Sequence, residues 1–149
     1  MKKLALLLMI YGIVSTTTYA QLRKIPSKVT DALKAKFPDA SGVEWKDKVT
    51  NFEATFELNS VKYQSTFNSK GEWQSTEKFI SETELPAEVK DGLAKSKYNS
   101  SDWEKKSFVW VDSKKDGERY RIFVEKNVVN KRYLYFNKSG QLDKETLSL

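Results

Sequence analysis

Residues 51–73 read NFEATFELNSVKYQSTFNSKGEW. Phe52, Ala54, Phe56 and Leu58 alternate with Glu53, Thr55 and Glu57. After Asn59-Ser60 the alternation resumes, with Val61, Tyr63, Ser65 and Phe67 against Lys62, Gln64 and Thr66. Two runs of period two separated by two residues predict a β-hairpin. Its register sets Leu58 opposite Val61, Phe56 opposite Tyr63 and Phe52 opposite Phe67 on one face, with Glu57 opposite Lys62 and Thr55 opposite Gln64 on the other. A slip of one residue would turn the whole apolar set to water, so the pairing is strongly specified. The stretch closes on Ser69-Lys70-Gly71. These residues fit a three-residue loop whose glycine takes positive φ, so that Phe67 faces Trp73 and the sheet runs on.

The same device recurs at Phe136–Leu142, FNKSGQL, 69 positions later. Upstream, IPSKVTDAL at 25–33 returns as LPAEVKDGL at 85–93, with an apolar residue, Pro, Val, Asp and Leu in register at an offset of 60. The chain therefore reads as two repeats in one order, about 25–80 and 85–146, the second with about nine extra residues between its helix and its glycine loop. Each opens with a helix. Proline suits a first helical turn, where its missing N–H has no partner, and Val29, Leu33 and Phe37 follow at helical spacing until Pro38 stops the run. In the second repeat Val89, Leu93 and Tyr98 play these parts, and Gly92 costs that helix about 1 kcal/mol relative to alanine. About four antiparallel strands follow each helix, with Val43–Lys46 and Phe108–Val111 as the first. The expected fold class is α+β, two tandem helix-plus-antiparallel-sheet repeats. If the halves join into one continuous sheet, both helices lie on one face and the other face is open.

The N-terminus, MKKLALLLMIYGIVSTTTYA, has two lysines, an apolar run from Leu4 to Val14 and small residues at Thr18 and Ala20, the layout of a Sec signal peptide cleaved after Ala20. The apolar run is shorter than the roughly 20 residues a spanning helix needs, and no cysteine is present to carry a lipid. Removing those 20 residues, two lysines among them, takes 149 residues to 129 and the net charge from +6 to +4. The mature region, 21–149, has the size of a single domain. Without cysteine its stability must come from packing.

Composition narrows the chemistry. No histidine is present, so the commonest general base and transition-metal ligand is missing. The glycine loops have too few glycines and no following helix for a phosphate cradle, and too few acidic ligands for calcium. Glu53 and Glu57, four residues apart on one strand, stand about 13 Å apart, wider than a glycosidase pair. No cofactor, metal or nucleic acid is indicated, and a lysine excess spread along the chain fits a solvated surface. Trp45, Trp73, Trp103 and Trp110 are expected in the core or half-buried.

Alternation along Arg119–Val124 leaves Arg119, Arg121 and Phe123 facing away from Tyr120, Ile122 and Val124. Matching Phe136 to inward Phe67 puts Leu134 inside and Tyr133 and Tyr135 outside, with Lys131 as a further member. Arg119, Arg121, Phe123, Tyr133 and Tyr135 thus form the candidate partner-binding surface, since tyrosine and arginine are enriched where partners are gripped. A second reading stands level with this one: the hairpin is buried on both faces or paired differently, because Val128-Val129 blurs the turn.

A signal peptide, twice an apolar-Pro-x-x-Val helix, a tryptophan-containing strand and a hairpin closing on Phe-Asn-x-x-Gly resemble the PepSY-like family of exported bacterial proteins, from Ile25 to Leu142. That family looks like the beta-lactamase inhibitor protein in fold. The resemblance implies one long curved sheet, helices behind and aromatic residues on the concave face, in the periplasm of Bacteroidetes-type cells. Pro26, Pro86, Gly71 and Gly140 match the family pattern; Asn68 and Asn137 stand where members often have Asp. The inhibitor's disulfides have no counterpart, so lactamase inhibition is not implied. The leading functional expectation is an exported non-catalytic binding or inhibitor-like module holding a periplasmic protein or peptide. A small envelope-polymer hydrolase using carboxylates, and a small-ligand or anion binder, are the alternatives.

Overall fold

The computed structural model describes residues 24–148, so the expected signal segment lies outside the described residues. Helix α1 (Ser27–Lys36) starts directly after Pro26 and ends at Phe37, immediately before Pro38, as the proline rule requires. Helix α2 (Ala87–Lys95) starts after Pro86. Val29 and Leu33 of α1 and Val89 and Leu93 of α2 are the residues these helices bury. Tyr98 departs from the helical expectation. Ser96 adopts extended φ/ψ and its Oγ accepts the Tyr98 N–H at 3.2 Å, so Tyr98 sits in a separate 3-10 turn and is buried from there.

Eight strands follow: β1 (Ser41–Lys48), β2 (Asn51–Leu58), β3 (Val61–Asn68), β4 (Trp73–Ile80), β5 (Glu104–Ser113), β6 (Gly117–Glu125), β7 (Lys131–Asn137) and β8 (Leu142–Leu147). They form one antiparallel sheet in sequence order, with β4 pairing β5 across the boundary between the halves. The β2–β3 register is the expected one at every pair, around a turn in which Asn59 and Ser60 have φ of 52° and 63°. Phe67 faces Trp73 and Phe136 faces Leu142, also as expected. Matching pairs across the halves locates the nine extra residues. Three precede β5, five lengthen the β5–β6 hairpin and one enlarges the β6–β7 turn.

The row Phe56–Tyr63–Lys78–Trp110–Tyr120–Phe136 runs cross-strand from β2 to β7. Directly paired residues share a face, so both helices, which cover the two ends of this row, lie on one side of the sheet. They build two cores. One gathers Val29, Leu33, Phe52, Ala54, Phe56 and Phe67; the other gathers residues of α2, β6 and β7, including Ile122, Leu134 and Phe136. No buried residue belongs to both. On the helix side of the junction, the hydroxyls of Ser65 and Thr76 hydrogen-bond at 3.0 Å and the Trp73 indole donates to Thr76 at 2.8 Å. The four tryptophans are half-buried.

The glycine loops serve more than turn geometry. Gly71 and Gly140 have φ of 83° and 78°, as their loop type needs, but each also lies against the first turn of its helix. A Cβ at Gly71 would stand 2.5 Å from the Lys28 carbonyl oxygen, and one at Gly140 would overlap the Glu88 carbonyl. Gly92 in α2 is explained the same way, because a Cβ there would overlap the Gly140 carbonyl. Its lost helix propensity is exchanged for close approach of helix and turn. Asn68 and Asn137 complete the loops. Each side-chain oxygen accepts two backbone N–H groups, from Lys70 and Glu72 in one and from Ser139 and Gln141 in the other, at 2.9–3.1 Å. A carboxylate oxygen could accept the same bonds.

Candidate functional site

The face away from the helices is open, and the register places every singled-out residue of β6 and β7 on it. Arg121 pairs with Tyr135, Phe123 with Tyr133, Glu125 with Lys131 and Arg119 with Asn137. The pairing is the alternating one, and the hairpin is not buried on both faces. Tyr120, Ile122, Val124, Leu134 and Phe136 are buried on the helix side, while Arg119, Arg121, Phe123, Tyr133 and Tyr135 are half-buried on the other. The uncertain turn is closed by Asn127, whose side-chain oxygen accepts the N–H groups of Val129 and Asn130 at 3.1 and 2.9 Å; Val128 and Val129 point into solvent.

Within this set, Phe123 and Tyr133 touch, with ring centroids 5.0 Å apart. The Arg121 guanidinium lies 5.7 Å from the Tyr133 ring centre, and Lys144 of β8 stands 5.3 Å from that of Tyr135. Such cation–aromatic contacts favour holding the rings in place at the surface.

The two arginines are engaged within the chain. Arg121 donates from both terminal nitrogens to both Glu77 oxygens, at 2.9 and 2.7 Å. Burial opposes the Arg121 charge, but the bonds to Glu77 outweigh it, and its pKa lies above the ordinary arginine value. Glu77 belongs to β4 and Arg121 to β6, so the pair bridges over β5. There Val109, opposite Arg121, and Val111, opposite Glu77, point to the open face and yet are only 3% and 9% exposed. Arg119 meets Asp143 at 2.7 Å, and Lys131 meets Glu125 at 3.6 Å.

Sequence reasoning missed Glu77, Phe79, Val109, Val111, Asp143 and Lys144. Phe79 is 74% exposed and lies in the row Phe79–Val109–Arg121–Tyr135–Lys144 that crosses β4 to β8. Alternation through Ser75, Glu77 and Phe79 could have found it. The bridge to Glu77 could not be found that way, because it depends on the β4–β5 register, which residues 81–103 separate in sequence.

Beside Phe79 the open face has a hollow of about 190 Å³, lined by Glu44, Lys46, Thr55, Lys62, Gln64 and Glu77 among others. Its walls come from β1 to β5. Glu53, of the carboxylate pair weighed for hydrolysis, faces Lys48 at 3.7 Å. Among the described residues no three metal-ligating side chains gather, and no helix is long and apolar enough to cross a membrane.

No family model and no curated protein matches the sequence. Solved structures do. The chain is similar to a BLIP-like protein from Bacteroides fragilis, at 24% identity over 83% of this chain and 86% of that one, with a TM-score of 0.76. A DUF2874 family protein from Bacteroides ovatus shares 25% identity over 83% and 88%, at a TM-score of 0.76. A Bacteroides eggerthii protein assigned provisionally to the periplasm shares 25% over 83% and 89%, at 0.72. The likeness is one of fold: two helices on one side of an eight-stranded antiparallel sheet, the BLIP-like arrangement expected from the sequence.

Proposed function

We propose that this chain is an exported, non-catalytic binding module of PepSY-like type, a single domain over 21–149 after cleavage behind Ala20. It holds a protein or peptide partner in the periplasm on the open sheet face of its second half. The observation that carries this reading is the half-buried cluster Phe123, Tyr133, Tyr135 and Arg121, standing on the open face beside exposed Phe79. Large rings already held by their neighbours lose little freedom when a partner covers them. The BLIP-like fold and the provisional periplasmic description of one neighbour support the same class. Arg121 and Arg119 serve as positioning groups in this reading, because their charges are matched by Glu77 and Asp143. Capture from a periplasmic extract, run with wild type and with Tyr133→Ala/Tyr135→Ala, tests it. A specific protein retained by wild type and lost by the variant, at a nearly unchanged thermal midpoint, is the expected outcome; a large fall in midpoint would make these tyrosines core residues instead.

A further inference from the structure

On the open face, the polar side chains of the first half are engaged differently from those of the second. The row Glu44–Thr55–Gln64–Glu77 crosses β1 to β4 there and lines the 190 Å³ hollow, together with Lys46, Lys62 and Phe79. Glu77 is taken by Arg121. The side chains of Glu44, Lys46, Thr55, Lys62 and Gln64 enter none of the hydrogen bonds or ion pairs among the described residues. Charge is balanced across this region: Glu44, Glu53 and Glu57 stand against Lys46, Lys48 and Lys62 on the open face of β1–β3, and Glu77 against Arg121. Lys78 also borders the hollow, but its ammonium lies on the helix side, 5.9 and 5.7 Å from the Tyr63 and Trp110 ring centres. Phe79 is the only exposed aromatic residue among the described residues, and its ring packs on no other.

We propose that this hollow binds the ring of a neutral hexopyranose sugar, with Phe79 as its stacking platform. Every sugar hydroxyl both donates and accepts a hydrogen bond, and the unengaged groups are of both kinds. Lys46 and Lys62 donate, Glu44 accepts, and the Gln64 amide and Thr55 hydroxyl do both. A pyranose also presents a face of C–H groups, which the negative face of an exposed aromatic ring attracts. The 190 Å³ of the hollow is the space of about six waters, enough for one sugar ring and below the roughly 300 Å³ of pockets for larger ligands. With opposite charges matched around it, an anionic group has no advantage over a neutral one. A peptide is the poorer complement, because the face of a sheet offers it no backbone groups to pair with. The hollow lies apart from Phe123, Tyr133 and Tyr135, so sugar binding stands independently of the protein-binding reading.

Titration of the signal-free protein with the methyl glycosides of glucose, galactose, mannose and N-acetylglucosamine, followed by amide NMR shifts, tests this. At least one glycoside is expected to bind with a Kd of about 1–10 mM, its shifts centred on Glu44, Thr55, Gln64 and Phe79. Phe79→Ala and Gln64→Ala should each weaken it about fivefold, while Lys95→Ala on α2 leaves it within about twofold. Salt at about 0.5 M should also leave the Kd within about twofold, because the ligand is neutral. An unchanged thermal midpoint checks that each variant is folded. No shift at these residues with any of the four glycosides at about 50 mM, or full affinity retained by either hollow variant, overturns the proposal. So does tighter binding of glucuronate or glucose 6-phosphate, which would make the hollow an anion site, or of tetra-alanine, which would make it a peptide seat.

Discussion

At matched positions, the two halves present opposite surfaces on one backbone plan. Asn51, Glu53, Thr55, Gln64 and Thr66 of β2–β3 stand where Arg119, Arg121, Phe123, Tyr133 and Tyr135 stand on β6–β7. On the helix side the same strands agree: Phe52, Ala54 and Phe56 correspond to Tyr120, Ile122 and Val124, all buried. These inward positions of β2 and β6 are held to apolar residues by the core, whereas the outward ones are free to diverge. The helix side differs as well, with Tyr63 and Ser65 matched by Arg132 and Leu134, but the gain of three rings, Phe123, Tyr133 and Tyr135, falls on the open face.

The sharpest way to break this comparison is at the glycines. Gly140→Ala combines a left-handed backbone with overlap on the Glu88 carbonyl and should cost about 2–4 kcal/mol in urea unfolding. Gly92→Ala raises helix propensity and yet should destabilise, whereas the matched reverse change in the first half, Ala32→Gly, should cost only about 1 kcal/mol. A stabilised Gly92→Ala would show that α2 and the Gly140 loop are not in close contact. The bridge is the next test. A double-mutant cycle on Arg121→Gln and Glu77→Gln should give a coupling of about 1 kcal/mol that shrinks with salt, larger than that of Glu53, which occupies the Arg121 position in the first half and meets the exposed Lys48 at 3.7 Å. A null coupling would remove the bridge as a support for the aromatic cluster. Asn137→Ala should cost about 1 kcal/mol through two stranded N–H groups, and Asn137→Asp only a few tenths.

One further effect is confined to alkaline solution. Burial, and then its hydrogen bond to Glu118 at 3.0 Å, pushes the Tyr120 hydroxyl up to about 12 from an ordinary 10.0. The folded state therefore retains that proton longer than the unfolded chain does. Its contribution is full below pH 10 and lost as pH rises toward about 12. Tyr120→Phe should flatten the stability profile across that window. The matched residue of the first half is already Phe52, so no equivalent loss arises there.

The features legible in the sequence were the local ones. The β2–β3 register could be read because a two-residue turn leaves one pairing that satisfies both faces, and the open-face set of β6–β7 could be read by carrying Phe67 onto Phe136. Helix limits followed from Pro26, Pro38 and Pro86. What escaped was set between distant segments. Gly92 reads as a flaw in a helix until the Gly140 loop is seen against it, and Arg121 reads as a free cation until the β4–β5 register brings Glu77 within reach. Asn68 and Asn137 stood in plain sight, but their value lies in an oxygen aimed at backbone N–H groups, which residue type alone does not reveal.

The two cores that share no buried residue have a consequence for the order of folding. Every strand pairs with its neighbour in sequence, so contact order is low and each pairing closes a short stretch of chain, apart from β4 with β5 across α2. Each half holds its own helix, hairpins and apolar cluster, and so its own nucleus. As the chain is delivered from its N-terminus, the first half can collapse on Val29, Leu33 and Phe67 while β5 to β8 are still arriving. Strand β4 is then the template on which the second half assembles, and the bridge from Glu77 to Arg121 is among the last bonds to close.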